Sequence, residues 1–184
     1  MNNNKKYIIS DNSKLVIDEA EHKKYDFFLK ENSYLEISYY KEVNDLELNV
    51  YLEGKNSEFI YNYSTLLTKE QNITLNIFHK NKNTKSNIIN KAVILNDKKL
   101  NITINAKVEK GALNSYLNQE TKIITNNKNN CLVKPNLLID EYTTEAKHSC
   151  SIGTFNKEQL FYLKARGIDE KSAINLMIEG FLKK

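Results

Sequence analysis

Hydrophobic and polar residues alternate with a period of two through most of the chain, from about Tyr34 to Glu145. Alternation that uses β-branched and aromatic residues is typical of half-buried β-strands. Two weaker runs, Lys14–Asp18 and Tyr25–Leu29, lie within residues 1–33 and are predicted as capping strands. The clearest predicted strands are Leu35–Tyr39, Leu46–Glu53, Phe59–Tyr63, Ile73–Phe78 and Leu100–Val108.

The spacing of these runs fits a β-sandwich, a β-barrel or a β-helix about equally well. Two features favour the β-helix. The chain has five glycines and one proline, so the connections lack the usual chemistry of tight hairpin turns. Asparagine recurs at the ends of the runs, where it tolerates the left-handed conformation and can stack in ladders between coils.

After Gly153 the apolar spacing becomes helical. Asn156 is placed to cap a first helix, and Gly167 is placed to end it. Asp169 can cap a second helix, over Glu170–Phe181. We expect most of the apolar side chains of both helices to pack in the core. The sequence therefore predicts an array of strands followed by a helical pair.

The composition fits a single globular domain of 184 residues, with 40% hydrophobic and 27% charged residues. The net charge of +4 is spread among acidic residues, which argues against a nucleic-acid partner. We see no signal peptide and no apolar run long enough to span a membrane. Two cysteines in such a chain predict free thiols in a reducing compartment, and hence a cytoplasmic protein.

Motifs of known enzymes are missing: the sequence has no phosphate loop, no G-x-S-x-G, no H-E-x-x-H and no C-x-x-C. A β-helix enzyme acting on polysaccharide would need clustered carboxylates on one strand face, and the acidic residues here are scattered. We therefore predict that the chain is not an enzyme.

Candidate ligands for a soft metal are few. His148 and Cys150 are two residues apart, so in a strand they would share one face. The alternative interpretation is an ordinary histidine beside a small buried thiol. Cys131 is a further candidate ligand, whereas His79 and His22 are predicted to lie on the surface.

The last third of the chain carries several motifs at a consistent spacing. Pro135–Ile139 fits the pattern P-x-L-x-I, and His148 and Gly153 follow at the spacing of S-H-G-A-T-V-G. Gln159–Ile168 resembles A-L-F-Y-L-x-S-R-G-I, and Ile178–Phe181 matches x-x-G-F. Through these motifs the chain resembles the SufB/SufD family of iron–sulfur cluster assembly, and most nearly a truncated SufD core.

This resemblance implies a right-handed parallel β-helix over residues 1–153 and a C-terminal helical segment over residues 154–184. The implied partners are a SufB-like subunit, or a second copy of the chain, and a SufC-like ATPase that docks on the helical segment. The candidate residues for that docking are Glu158, Leu160, Phe161, Tyr162, Arg166 and Phe181.

The implied cargo is an iron–sulfur cluster, with His148, Cys150 and Cys131 as candidate ligands. Clusters usually take four thiolate ligands, with histidine as an occasional substitute, and two cysteines cannot supply them. We therefore expect a transient cluster shared with another subunit, and no permanently bound cofactor.

Two departures from the family pattern leave an alternative open. Residues 149–151 are Ser-Cys-Ser where the pattern has G-A-T, and the long N-terminal region of full-length members does not precede the β-helix here. The chain would then be a β-helix interaction module that no longer contacts clusters.

Overall fold

The computed structural model describes residues 4–17, 23–39 and 45–183. The odd-numbered strands are β1 Asn4–Ile9, β3 Lys24–Leu29, β5 Leu46–Leu52, β7 Gln71–His79, β9 Leu100–Val108 and β11 Cys131–Ile139. The even-numbered strands are β2 Lys14–Ile17, β4 Tyr34–Tyr39, β6 Glu58–Leu66, β8 Lys85–Ile94, β10 Tyr116–Thr125 and β12 Glu145–Gly153. A short 3₁₀ turn spans Lys128–Asn130, and the helices are α1 Lys157–Ala165 and α2 Glu170–Leu182.

The strands form two six-stranded sheets. The odd-numbered strands make the first sheet and the even-numbered strands the second, each in sequence order, and neighbouring strands are parallel. The chain therefore alternates between the two sheets and winds into a parallel β-helix with one strand of each sheet per coil. This confirms the predicted fold, because a sandwich or barrel built from hairpins would pair its neighbours antiparallel.

The two weak runs in residues 1–33 are strands β2 and β3 of the same β-helix. Their role as a cap, and the division of the chain after residue 153, stay predictions.

The interior between the sheets is filled by the alternating apolar residues of the strands, as the pattern indicated. In the central coils these side chains are almost fully buried. They include Phe27, Leu29, Leu35, Ile37, Leu48, Val50, Leu52, Phe59, Tyr61, Leu75, Ile77, Ile102 and Ile104.

One corner of the β-helix carries an asparagine in each of five successive coils. These residues adopt positive φ angles between 52° and 59°, and they are Asn12, Asn32, Asn56, Asn83 and Asn114. Their amides form a ladder, in which Asn56 Nδ2 donates to Asn32 Oδ1 at 2.8 Å and Asn83 Nδ2 donates to Asn56 Oδ1 at 3.0 Å. The predicted left-handed, stacked asparagines are thus confirmed.

The outer face of the first sheet carries two further rows of identical chemistry. Asn49, Asn76, Asn105 and Asn136 each donate a hydrogen bond to the preceding coil at 2.7–2.8 Å. Beside them, the rings of Phe28, Tyr51 and Phe78 stack with centroids 4.7 and 4.9 Å apart. Such rows fix the register of the coils, because a shifted strand would break the repeat.

Both helices begin and end as the sequence predicts. Asn156 accepts from the backbone of Glu158 and Gln159 at the start of α1, and Gly167 follows its end with φ +85°. Asp169 Oδ1 accepts from the Ser172 N–H at the start of α2. α2 packs on β6 and β8. No helix within the described residues is long and apolar enough to cross a membrane.

Candidate functional site

The last coil, made of β11 and β12, is the open C-terminal end of the β-helix. Each of these strands has one paired neighbour among the described strands, β9 and β10 respectively. Their inward side chains are therefore covered by a neighbouring coil on one side. Val133 and Leu137 on β11 are half-buried, although Ile102 and Ala106, which precede them in register, are buried. The open end thus presents part of the interior as a surface.

His148 and Cys150 lie on the inward face of β12. In register, His148 follows Gln119 of β10 and Cys150 follows Thr121, and both β10 residues are buried. Ala146, on the same face of β12, packs against the core. Both candidate ligands are nevertheless exposed, because they belong to the final coil. The prediction that the two residues share one face of a strand is confirmed.

Cys131 belongs to the opposite sheet, at the start of β11. We call the residues paired in register across successive strands of one sheet a column. The column of Cys131 runs back through the first sheet to Gln71, and the column of Cys150 runs back through the second sheet to Tyr63. Tyr63 donates a hydrogen bond across the interior to Gln71 Oε1 at 2.5 Å. The two columns therefore face each other, and they place the two thiols on facing inner surfaces at the open end.

Both cysteines are free thiols. Partial burial raises the pKa of both, and the neighbouring Cys150 raises the pKa of Cys131 further. Both thiols consequently stay protonated at neutral pH, because burial disfavours the charged thiolate. A soft metal ion would reverse that balance by replacing the protons, which is how metal binding couples to thiol ionisation.

Within the described residues, no three His, Cys, Asp or Glu side chains are close enough together to hold a metal ion. The structure thus brings Cys131 and Cys150 to facing positions and His148 to the same row as Cys150, without closing a three-ligand site. That a cluster takes ligands from more than one subunit stays a prediction.

A group of buried polar side chains lies directly beneath the open end, and sequence reasoning did not assign it a role. Asn90 Nδ2 donates to Thr121 Oγ1 at 3.2 Å. Gln119 is 2% exposed, and neither of its amide atoms has a hydrogen-bond partner among the described residues. The signal in the sequence was a polar residue at an inward position of an alternating strand.

The prediction that the helices are mostly core is wrong for α1. None of its residues is buried, and Phe161 and Tyr162 are 74% and 57% exposed. The Arg166 guanidinium lies over the Tyr162 ring at 5.1 Å from its centroid. Helix α2 lies between α1 and the sheet, so it supplies the buried contacts, through Ala173 and Ile178.

The other predicted docking residues are also accessible. Glu158 is exposed, and Leu160 and Phe181 are half-buried. A shallow groove runs between the two helices, lined by Asn156, Glu158, Gln159, Tyr162, Leu163 and Met177. α1 thus offers an apolar and cationic surface, and the prediction that an ATPase docks on it stays a prediction.

The end of α2 is fastened to the second sheet. Ser64 Oγ donates to the Leu182 carbonyl at 2.8 Å, and Lys91 Nζ donates to the Lys183 carbonyl at 2.8 Å. These carbonyls would otherwise lack partners at a helix C-terminus. The helical pair therefore has a defined position on the outer face of β6 and β8.

The prediction that His79 lies on the surface is wrong. His79 is 0% exposed, and its ring nitrogens lie 2.8 Å from Thr84 Oγ1 and 3.0 Å from Ser86 Oγ. Desolvation lowers its pKa to about 3, so the imidazole is neutral and serves as a core hydrogen-bonding group. His22 lies outside the described residues.

Comparison with known families decides what this geometry belongs to. The family model described as "SUF system FeS cluster assembly, SufBD core domain" matches residues 26–181, which covers the β-helix from β3 onward and both helices. The chain belongs to the SufBD core domain family.

Several curated relatives carry the same assignment. The chain is 33% identical over 113 residues to the "Iron-sulfur cluster assembly protein SufD" of Bacillus subtilis, a match that covers 61% of this chain and 26% of that protein. It is 29% identical over 136 residues to the SufBD family protein ycf24 of Pyropia yezoensis, covering 72% of this chain and 28% of the relative. It is 31% identical over 144 residues to the chloroplastic SufBD family protein ABCI8 of Arabidopsis thaliana, covering 73% and 25%.

The chain therefore spans about a quarter of the length of these SufBD relatives. The matched part is the domain that carries the β-helix and the helical pair. The family to which the chain belongs is described as one of iron–sulfur cluster assembly.

Proposed function

We propose that this SufBD core domain is a non-catalytic scaffold subunit for iron–sulfur cluster assembly. It pairs with a SufB-like subunit, or with a second copy of itself, and docks a SufC-like ATPase on its helical pair. The cluster is cargo, held transiently at the open end of the β-helix. The observation that carries the proposal is the placement of His148, Cys150 and Cys131 on the inner surfaces of the last coil in a member of this family.

The chemistry of the open end supports a transient rather than a resident cluster. Two thiols and one imidazole are soft or borderline ligands, and they lie where a partner's ligands can reach them. Because burial raises the pKa of both thiols, bound metal competes with protons, which favours release when the partner or the ATPase changes the geometry.

The exposed edge strands of the last coil support a paired scaffold. Among the described strands, β11 and β12 each have one edge without a paired strand, and Leu132, Leu138 and Ile139 of β11 are 41–56% exposed. Apolar side chains beside an open sheet edge favour pairing with another chain. We place this assembly in the cytoplasm, as the two free thiols suggest.

Cluster reconstitution tests the cargo. The chain and a SufB-like partner would be incubated with iron and sulfide, and the bound cluster measured by visible absorption after gel filtration. We expect His148→Ala to lose most of the bound cluster and Cys150→Ser to lose part of it. Ser149→Ala is the matched control, because Ser149 lies on the opposite face of the same strand. Equal loading in wild type and His148→Ala would leave the chain as an interaction module that does not contact clusters.

Co-purification tests the ATPase partner. We expect the intact chain to retain a SufC-like ATPase and a form truncated after Phe155 to release it. Phe161→Ala should weaken the complex at least tenfold, because Phe161 is the most exposed apolar side chain of α1. Asn175→Ala, exposed on α2, is the control. Failure of the intact chain to retain the ATPase would overturn this part of the proposal.

A further inference from the structure

Gln119 occupies an unusual position in the β-helix. It lies in the middle of β10 at an inward position, 2% exposed, where the equivalent residue of β8 is the apolar Ile88. The next residue in the same row, on β12, is His148. A long amide side chain therefore lies in the core, one strand below the exposed imidazole of the open end.

The amide of Gln119 has no hydrogen-bond partner within residues 4–17, 23–39 and 45–183, at either Oε1 or Nε2. Leaving a buried amide unpaired is energetically costly, so buried polar groups almost always have partners. In the nearby polar pair, Asn90 Nδ2 donates to Thr121, and Asn90 Oδ1 also has no partner among the described residues. Within its own row, Ile88 is apolar and His148 is the polar neighbour.

Strand spacing makes a contact between the two side chains feasible. Paired strands lie about 4.8 Å apart, and residues in register on one face project side by side. A neutral imidazole has one N–H donor and one acceptor nitrogen, which complements an amide that has both an acceptor and a donor. His148 is exposed and lies on the terminal strand of its sheet, so its imidazole is accessible at the open end.

We propose that Gln119 is a positioning residue for His148. The two side chains are not hydrogen-bonded in the conformation described. A rotation about the side-chain torsions of His148 lets Gln119 Oε1 accept a hydrogen bond from one imidazole N–H, which fixes the tautomer and leaves the lone pair of the other nitrogen available. Histidines that bind metals commonly donate their second ring N–H in this way, and loss of that partner lowers metal affinity about 10–100-fold. The metal-binding consequence rests on the proposed function, whereas the hydrogen bond itself does not.

The first experiment reads the tautomer directly in the metal-free protein. Imidazole nitrogen chemical shifts would be recorded by NMR at about pH 8.5, where an ordinary imidazole is neutral. His148→Ala and His79→Gln identify the signals. We expect wild type to show one dominant His148 tautomer, with well-separated nitrogen shifts, and Gln119→Leu to show averaged shifts.

Two further variants separate positioning from packing. Gln119→Glu retains an acceptor oxygen and should restore the single tautomer, whereas Gln119→Met retains the length without the acceptor and should not. Gln71→Leu removes another buried glutamine, in a column that leads to Cys131, and should leave the His148 shifts unchanged. Averaged His148 shifts in wild type, or unchanged shifts in folded Gln119→Leu and Gln119→Met, would overturn the inference and indicate that water satisfies the amide.

A second measurement links the contact to metal. Zn²⁺ affinity of the chain paired with its SufB-like partner, measured by competition with a chelating dye, should fall about tenfold or more in Gln119→Leu and Gln119→Met. Gln71→Leu should bind as wild type does. If the tautomer responds to Gln119 but cluster loading does not depend on His148, the hydrogen bond stands and the proposed scaffold function fails. If loading depends on His148 but the tautomer ignores Gln119, the function stands and this inference fails.

Discussion

The central coils and the last coil are built from the same strand pattern but differ in what their inward positions contain. In β5 to β9 the inward residues are mostly Leu, Ile, Val, Phe and Tyr, and nearly all are buried. In the last coil the corresponding rows end in Cys131, Pro135, His148 and Cys150, which are half-buried or exposed. The rows that bury apolar side chains in the central coils thus carry thiol and imidazole side chains at the open end.

This difference teaches how a β-helix can carry a site without weakening its core. Each central coil is stabilised by two neighbouring coils, because it buries apolar surface against both of them. Each Å² of apolar surface buried contributes roughly 25 cal/mol to stability. The terminal coil has one neighbour and contributes less to stability. Its inward positions are therefore free to hold residues chosen for chemistry, while the rows below fix their spacing.

The largest expected effect contrasts one apolar side chain from each region. Phe59→Ala removes a fully buried ring from the second sheet and should destabilise the protein by about 3–5 kcal/mol. Leu137→Ala, at a half-buried position of β11, should cost roughly 1 kcal/mol. Urea denaturation followed by circular dichroism measures both. Equal losses would mean that the last coil is as tightly packed as the centre.

Substitution of two glycines tests how closely the backbone is packed between coils and at the end of the last coil. A Cβ at Gly54 would lie 2.0 Å from the Lys30 carbonyl carbon and 2.1 Å from the Glu31 nitrogen of the preceding coil, so Gly54→Ala must push two coils apart. We expect a loss of roughly 3 kcal/mol. At Gly153, the last residue of β12, a Cβ would meet nothing within 4 Å, so Gly153→Ala should change stability by less than about 0.5 kcal/mol. Melting temperatures of the two variants, compared with wild type, test this, and a stable Gly54→Ala protein would contradict it.

Sequence alone predicted most of the fold, because each coil repeats the same local signals. The period-two strands, the left-handed asparagines and the caps Asn156 and Asp169 all follow from side-chain chemistry within a few residues. The parallel pairing was a weaker prediction, since periodicity does not distinguish a β-helix from a sandwich. It depended on the scarcity of hairpin turns and on the family resemblance.

The errors had identifiable physical causes. His79 continues the inward series of Ile73, Leu75 and Ile77, so the alternation already placed it in the core. Its position at the end of the strand, before Lys80 and Asn81, argued wrongly for the surface. The exposure of α1 could not be predicted, because an apolar stripe on a helix has the same spacing whether it faces a sheet or a partner. Facing columns such as those of Cys131 and Cys150 depend on register between distant strands, which no local pattern specifies.

The buried histidine of the central coils should make the stability of the protein depend on pH. His79 has a pKa of about 3 in the folded protein and an ordinary value of 6.5. The unfolded chain therefore binds a proton at His79 more readily than the folded protein does. As a result, the free energy of unfolding is highest above pH 6.5 and falls as the pH decreases toward 3. The loss is at most about 1.4 kcal/mol per pH unit, or roughly 2 kcal/mol by about pH 4.5. His79→Gln should remove this slope in urea titrations at several pH values.

His148→Gln is the matched control for the substitution itself, because it makes the same change at an exposed position. Parallel stability–pH curves for wild type and His79→Gln between about pH 6.5 and 4.5 would show that the buried imidazole does not titrate with unfolding.

The smallest expected effect concerns the asparagine ladder at the corner. Asn56 has φ 59°, donates to Asn32 and accepts from Asn83, so Asn56→Gly keeps the backbone angle but loses two hydrogen bonds, at about 1 kcal/mol. Asn56→Ala should cost about 1 kcal/mol more, because alanine is strained in the left-handed region.

In the last coil the ladder ends at Thr143, whose Oγ1 accepts from the Asn114 N–H at 2.9 Å. The Thr143 hydroxyl also donates to Glu141 Oε1 at 3.3 Å. Thr143→Ala should nevertheless cost less than Asn56→Gly, because the bond to Glu141 is long and the bond from Asn114 is exposed to solvent. Urea midpoints for the three variants measure the order, and a Thr143→Ala loss as large as that of Asn56→Ala would show that the end of the ladder is as important to stability as its middle.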